Sequence, residues 1–162
     1  MIVAVCIDDK NGMMFNKRRQ SQDRLQRHHL RELADGRAIW MNAYSAVLFQ
    51  RDCENPDGGE TEKQGSAADA NICVAEDFLA QAGEGEFCFV ENQNVSEYEE
   101  KIESVLLYKW NRVYPSDRFF DLNLSDGDWE MTKMEEFAGS SHEKITVEYY
   151  QKKKKTKEED GE

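Results

Sequence analysis

Four cysteines, a pair of adjacent histidines, a basic run and an acidic cluster are the residue types in this chain with the most obvious chemical potential. Cys6, Cys53, Cys73 and Cys88 are spaced 47, 20 and 15 residues apart, which makes no CxxC pair and no zinc-ribbon spacing. Most sit in or beside apolar, strand-like stretches, so they read as reduced thiols packed as small apolar groups, with no metal site. His28 and His29 would point about 100° apart on a helix and cannot form an i, i+4 metal pair. Lys17, Arg18 and Arg19, with Arg24, Arg27 and Arg31, make the first 35 residues basic in an acidic chain. That is a solvated face or a place for an anionic ligand. Glu91, Glu97, Glu99, Glu100 and Glu103 would engage a basic partner or simply cover an exposed helix. Trp40, Trp110 and Trp129 read as core or rim aromatics.

The rest of the composition narrows the classes. With 162 residues, 39% hydrophobic and 33% charged, and a mean hydropathy of -0.83, the chain can build one economical core. Lysine and arginine total 21 against 33 acidic residues, a net charge of -12. This field repels phosphate backbones and anionic lipid, so neither nucleic acid nor a membrane surface is an expected partner. The opening MIVAVCIDD lacks a basic lead and a cleavage-site pattern, and reads as part of a core rather than a signal peptide. With reduced thiols and no membrane-length apolar window, a cytoplasmic protein is expected.

These residues must be positioned by alternating strands and helices. Residues 2–7 are a continuous β-branched run entering the loop Asp8-Asp9-Lys10-Asn11-Gly12, the signature of a buried central strand. From Asp23 to Asp35, Leu25, Leu30, Leu33 and Ala34 fall on a helical period, Asp23 and Gln26 fit a capping box, and Gly36 ends the helix. A strand over 37–41 and a helix over 43–49 follow. Residues 50–71 carry no periodic apolar set and are expected to be a long loop or insert. Further strands are expected over 72–74 and 86–90, and helices over 76–82 and 96–103, the last with a Ser96/Glu99 capping box. Strands over 105–113, 129–137 and 144–150 complete an antiparallel C-terminal hairpin. Residues 152–162 read as a charged, frayed tail, leaving a single domain over 1–151.

A strand leading into Asp8-x-x-Asn11-Gly12, a helix, a strand ending at Met41 with a helix behind it, then Phe119-Phe120, Asp128-Trp129-Glu130 and Tyr149-Tyr150: this pattern resembles the dihydrofolate reductase family over nearly the whole chain. The spacing from Gly12 to Gly36 matches, Ile39-Trp40-Met41 falls on the family's Val-Ile-Met, and Arg118-Phe119-Phe120 with Leu124-Ser125 resembles its Thr-Phe-Phe and Leu-Ser segments. The resemblance implies an α/β, three-layer fold with a mostly parallel central sheet and a C-terminal antiparallel hairpin. It also implies a reductase ancestry with NADPH and folate as ligands. These markers are framework, and none of them performs chemistry.

At the functional positions the resemblance implies substitution. The family's helical acid falls on Gln26, which cannot ionise and puts a donor where a second acceptor is needed. The lid tryptophan falls on Ser21 and a lid glycine on Met14. Met-Gly-Arg-x-Thr becomes Met41-Asn42-Ala43-Tyr44-Ser45, so Ala43 replaces the arginine that meets the NADP phosphate. The Gly-Gly beside the pyrophosphate becomes Glu91-Asn92, adding bulk and like charge. The cofactor positions are thus Asn42, Ala43, Ser45, Glu91 and Asn92. The pocket positions are Ala4, Cys6, Gln26, Leu30 and Val90. The expectation is a dihydrofolate-reductase-like pseudoenzyme that binds a small molecule or a protein partner without catalysis. The alternative is a divergent NAD(P)H-dependent oxidoreductase acting on dihydrofolate or a related small molecule.

Overall fold

The computed structural model describes residues 1–54, 71–125 and 127–153. Its centre is Ile2–Ile7 (β1), whose side chains alternate between two cores. Val3, Val5 and Ile7 enter one cluster, with Cys88, Val90, Val105, Leu107, Phe78 and Leu79. Ala4 enters the other, with Leu30, Ile39, Met41, Phe49, Leu106, Tyr108 and Val147. A strand buried on both faces needs a continuous apolar run, which is what residues 2–7 supply.

Around β1 lie Gly12–Phe15 (β2), Arg18–Arg19 (β3), Arg24–Ala34 (α1), Ala38–Met41 (β4), Ala43–Glu54 (α2), Asn71–Val74 (β5), Phe78–Gln81 (α3) and Phe87–Val90 (β6). A 3₁₀ turn over Ser96–Lys101 then leads into Ser104–Lys109 (β7), Arg118–Phe119 (β8), Trp129–Phe137 (β9) and Ile145–Lys152 (β10). The large sheet runs β5-β4-β6-β1-β7-β10-β9. Its members are parallel through β7, whereas β10 runs antiparallel to both β7 and β9. The expected α/β architecture, mostly parallel with an antiparallel C-terminal hairpin, is therefore present. Residues of α1 and α2 pack into the cluster of Ala4, those of α3 into the cluster of Val3, which makes three layers.

Several local expectations are corrected. Helix α2 continues to Glu54 rather than stopping at Phe49, and Asn71 already belongs to β5; residues 55–70 of the expected loop lie outside the described residues. β10 includes Lys152, and residues 154–162 of the expected tail also lie outside them. β7 ends at Lys109 rather than Val113, because Asn111 turns the chain at a φ of 62°. The Ser96/Glu99 capping box does not form. Residue 95 precedes a 3₁₀ turn with no side-chain cap of its own, and the free N–H groups of Val95 and Ser96 donate to the Asp121 carboxylate instead, at 2.8 and 3.1 Å. From Gly12 the chain forms β2 and β3, which with β8 make a second small sheet, β3-β2-β8, for which no strands were expected.

Candidate functional site

The parallel strands of an open α/β sheet aim their C-terminal ends at one edge, where ligands are normally held. Here β4 and β6 end at Met41 and Val90 and lead directly into Asn42 and Glu91, and the five expected cofactor positions converge except for the short side chain of Ala43. Asn42 caps α2: its Oδ1 accepts from Ser45 N at 3.2 Å, and its Nδ2 donates to Asn92 Oδ1 at 2.9 Å. Ser45 Oγ donates to Glu91 Oε1 at 2.7 Å. The same carboxylate receives Arg19 from β3 in a two-pronged pair, Nε to Oε2 and Nη2 to Oε1, both at 2.9 Å. Arg19 Nη2 also reaches Tyr44 O at 3.1 Å, its backbone N–H donates to the Tyr44 hydroxyl at 2.9 Å, and its guanidinium lies 4.2 Å from the centre of the Tyr44 ring. A carboxylate of the chain thus occupies a donor-lined corner at the start of α2, and β3 is fastened to it through Arg19. Burial works against the Arg19 charge, and Glu91 more than offsets it, raising its pKa.

On the α1 side, Ala4, Cys6 and Leu30 belong to one cluster, and Gln26 is buried on the same helix. Val90 is not with them; it points to the opposite core, since its neighbour Phe89 takes the α1-facing position. Gln26 approaches the Tyr108 hydroxyl, yet its Nε2 has no aligned hydrogen-bond partner. The hydroxyl of Tyr108 is bound by His29 Nδ1 at 2.8 Å, and His29 Nε2 meets Glu135 at 3.1 Å. Burial raises the pKa of Tyr108 and, with help from Glu91, that of Cys6, which keeps both protonated. Further along α1, Arg27 forms a bidentate pair with Asp52 of α2, at 2.6 and 2.9 Å, and also binds Gln22. Arg31 donates to Phe49 O at 2.9 Å. For two members of the expected basic face the reading is corrected: Arg27 and Arg31 are buried between the helices, because their long stems fill apolar space while acceptors on α2 meet their heads, whereas Lys17 and Arg18 are exposed. His28 turns outward to Glu32, away from His29.

A third cluster joins elements far apart in sequence. Asp23, the N-cap of α1, accepts from Leu25 N at 3.0 Å, Ser140 N at 2.9 Å and Ser141 N at 2.8 Å. It also binds His142 Nδ1 at 2.9 Å. Gly139 makes this approach feasible, since a Cβ there would lie 2.5 Å from Asp23 Oδ2. Burial alone would raise the pKa of Asp23, but the bonds from His142, Ser140 and Ser141 overcome it and hold the carboxyl well below the usual range. His142 is buried and stacks on Trp110 with ring centres 4.3 Å apart.

Among the described residues, no group of three or more His, Cys, Asp and Glu is placed to hold a metal, and no helix is long and apolar enough to cross a membrane. An open depression of about 900 Å³ is lined by Tyr98, Glu99, Lys101 and Lys152. It lies at the N-terminal end of β7, away from the converging strand ends.

No family model matches the chain, and no curated protein sequence does. Among solved structures, a dihydrofolate reductase from Enterococcus faecalis complexed with NADP(H) and RAB-propyl superimposes with a TM-score of 0.57 at 12% identity, covering 95% of this chain and 97% of that one. The chain has a dihydrofolate-reductase-like fold. In this dihydrofolate-reductase-like molecule the positions expected at the cofactor edge meet in space, and four of the five pocket positions share one face. Sequence reasoning did not find Arg19 as the partner of Glu91, Arg27 as the partner of Asp52, or His142 as the partner of Asp23. The first two bring a base and an acid together, which a pairing of the basic run with the acidic residues would suggest. The third has no local signal, because 119 residues separate the two groups.

Proposed function

We propose that this dihydrofolate-reductase-like chain has lost ordinary dihydrofolate reduction and works as a non-catalytic binding or interaction domain. The observation that carries this reading is the Glu91 carboxylate held by Ser45 and clamped by Arg19. A dinucleotide would have to displace a bidentate ion pair and place its phosphates against a carboxylate, in a corner that offers no arginine at position 43. Two further features support it. Gln26 cannot give up or hold a proton as a carboxyl group would, and the space between α1 and α2 is bridged by Arg27 and Asp52.

The test is NADPH at a hundredfold excess over a typical cofactor dissociation constant. A binder would be stabilised by about 2.7 kcal/mol, on the order of 5 to 10 °C in melting temperature. The expected result is no shift and no dihydrofolate-dependent oxidation of NADPH. A clear shift selects the alternative, a divergent NADPH-dependent reductase. The capped start of α2, with Asn42, Ser45 and Asn92 gathered there, is the observation that favours that alternative.

A further inference from the structure

Three side chains away from the corner held by Glu91 and Arg19 stand in the order nucleophile, base and orienting acid. His142 Nε2 lies 2.9 Å from Ser21 Oγ, and His142 Nδ1 lies 2.9 Å from Asp23 Oδ2. Asp23 is an acceptor already fed by the backbone N–H groups of Leu25, Ser140 and Ser141, so the hydrogen shared with His142 belongs to Nδ1. That assignment leaves Nε2 as an acceptor, facing the Ser21 hydroxyl at 2.9 Å and the Tyr114 hydroxyl at 3.1 Å, and a serine beside such an acceptor becomes nucleophilic. Trp110 holds the imidazole plane by stacking, and the tight passage at Gly139 holds the loop against Asp23. Ser21 is half-buried rather than sealed, and it sits in the connection between β3 and α1. The Tyr114 hydroxyl is 3.4 Å from Ser21 Oγ and 3.1 Å from His142 Nε2. It is the donor best placed to meet charge on an oxygen bonded to the carbon that Ser21 attacks.

We propose that Ser21, His142 and Asp23 form an acyl-transfer site that hydrolyses small esters. Ser21 Oγ bonds to the ester carbonyl carbon while its proton passes to His142 Nε2 and the carbonyl electron pair moves onto oxygen, facing Tyr114. As the tetrahedral centre collapses, the bond to the alcohol oxygen breaks and that oxygen takes the proton from His142, leaving acyl-Ser21. Water then attacks the acyl carbon, gives a proton to Nε2, and releases the carboxylic acid as the proton returns to Ser21. Ser21 and His142 are the catalytic residues, and Asp23 is a positioning residue.

The full chain is treated with a fluorophosphonate, and the modified residue is located by peptide mass spectrometry. Hydrolysis of p-nitrophenyl acetate is followed in parallel. One phosphonyl group at Ser21 is expected, with hydrolysis reduced at least 100-fold in Ser21→Ala and about as much in Tyr114→Phe. Asp23→Asn should lower kcat at unchanged KM, which a purely structural role would not do. Ser21→Cys supplies a readout independent of ester turnover: its thiol should be alkylated at pH 7 faster than an ordinary cysteine, and His142→Gln should remove the excess. The proposal is overturned if the native chain is not labelled at Ser21, if hydrolysis survives unchanged in Ser21→Ala, or if the thiol introduced by Ser21→Cys reacts no faster than an ordinary one. None of these outcomes depends on whether NADPH binds.

Discussion

Glu91 is the residue on which the corner at the strand ends turns, because its carboxylate is held by Ser45 at the start of α2 and paired with Arg19 of β3. Its side chain is 9% exposed and that of Arg19 21%, so removing one charge strands the other in a poorly solvated place. Glu91→Gln should therefore lower stability by about 2 kcal/mol, read as a lower urea midpoint. Arg19→Met combined with Glu91→Gln should cost less than the two single changes added together, because neither charge is then left alone. At the opposite extreme is Cys88, whose thiol burial pushes up to about 12. It should stay unmodified by thiol reagents in the native protein at pH 8 and react only on unfolding, which quantitative alkylation in and out of denaturant can check. That Cys88 is packed as a small apolar group was legible in the sequence, since it lies inside an apolar run. The pairing of Arg19 with Glu91 was not, because a charge run looks the same whether it faces solvent or folds inward.

At the scale of elements, α1 was readable almost to the residue: its apolar period, the Asp23 cap and the turn at Asp35 and Gly36 all appear where the spacing puts them. What the spacing hides is the third face of the helix. Arg27 is 6% exposed and Asp52 9% in their side chains, so α1 and α2 are fastened through a buried pair that polar periodicity assigns to solvent. Asp52→Ala should cost about 3 kcal/mol, because it leaves a guanidinium buried without its anion. The double change Arg27→Met with Asp52→Leu should recover most of that loss, and urea denaturation of the three variants decides it. The small sheet of β2, β3 and β8 was illegible for a different reason. Strands of two to four residues are too short to display a period of two, and they are held by tertiary bonds such as Asp117 N to Met14 O at 2.9 Å and Asn16 N to Asp117 Oδ2 at 3.0 Å. The overall order of strands and helices, and with it the fold, needed only the longer elements.

For the whole molecule, a net charge of -12 and a set of carboxylates with lowered pKa values pull stability in opposite directions as pH falls. Protonating exposed acids relieves self-repulsion and favours the compact state. Protonating carboxylates bound in the native state does the reverse, since a depressed folded pKa contributes stability that is present above the unfolded value and is lost as pH falls through the folded one. Asp23 is lowered by His142, Ser140 and Ser141 against the effect of burial. Asp8 is lowered by the backbone N–H groups of Tyr114, Gly12 and Lys10, again against burial. Glu135 is taken to about 2, chiefly by Lys133 and His29. Stability should accordingly hold or rise slightly from pH 7 to about 5 and then fall steeply below about pH 4, near the unfolded value of aspartate. At the alkaline end Tyr150, raised to about 12 by burial and Glu148, loses its contribution as pH climbs from about 10 toward that value. Urea midpoints measured from pH 2 to 11 should trace this dome. Because Asp23 ties the cap of α1 to the loop before β10, Asp23→Asn should flatten the acid limb more than Asp8→Asn does, whereas equal slopes in the two variants would place the acid sensitivity elsewhere.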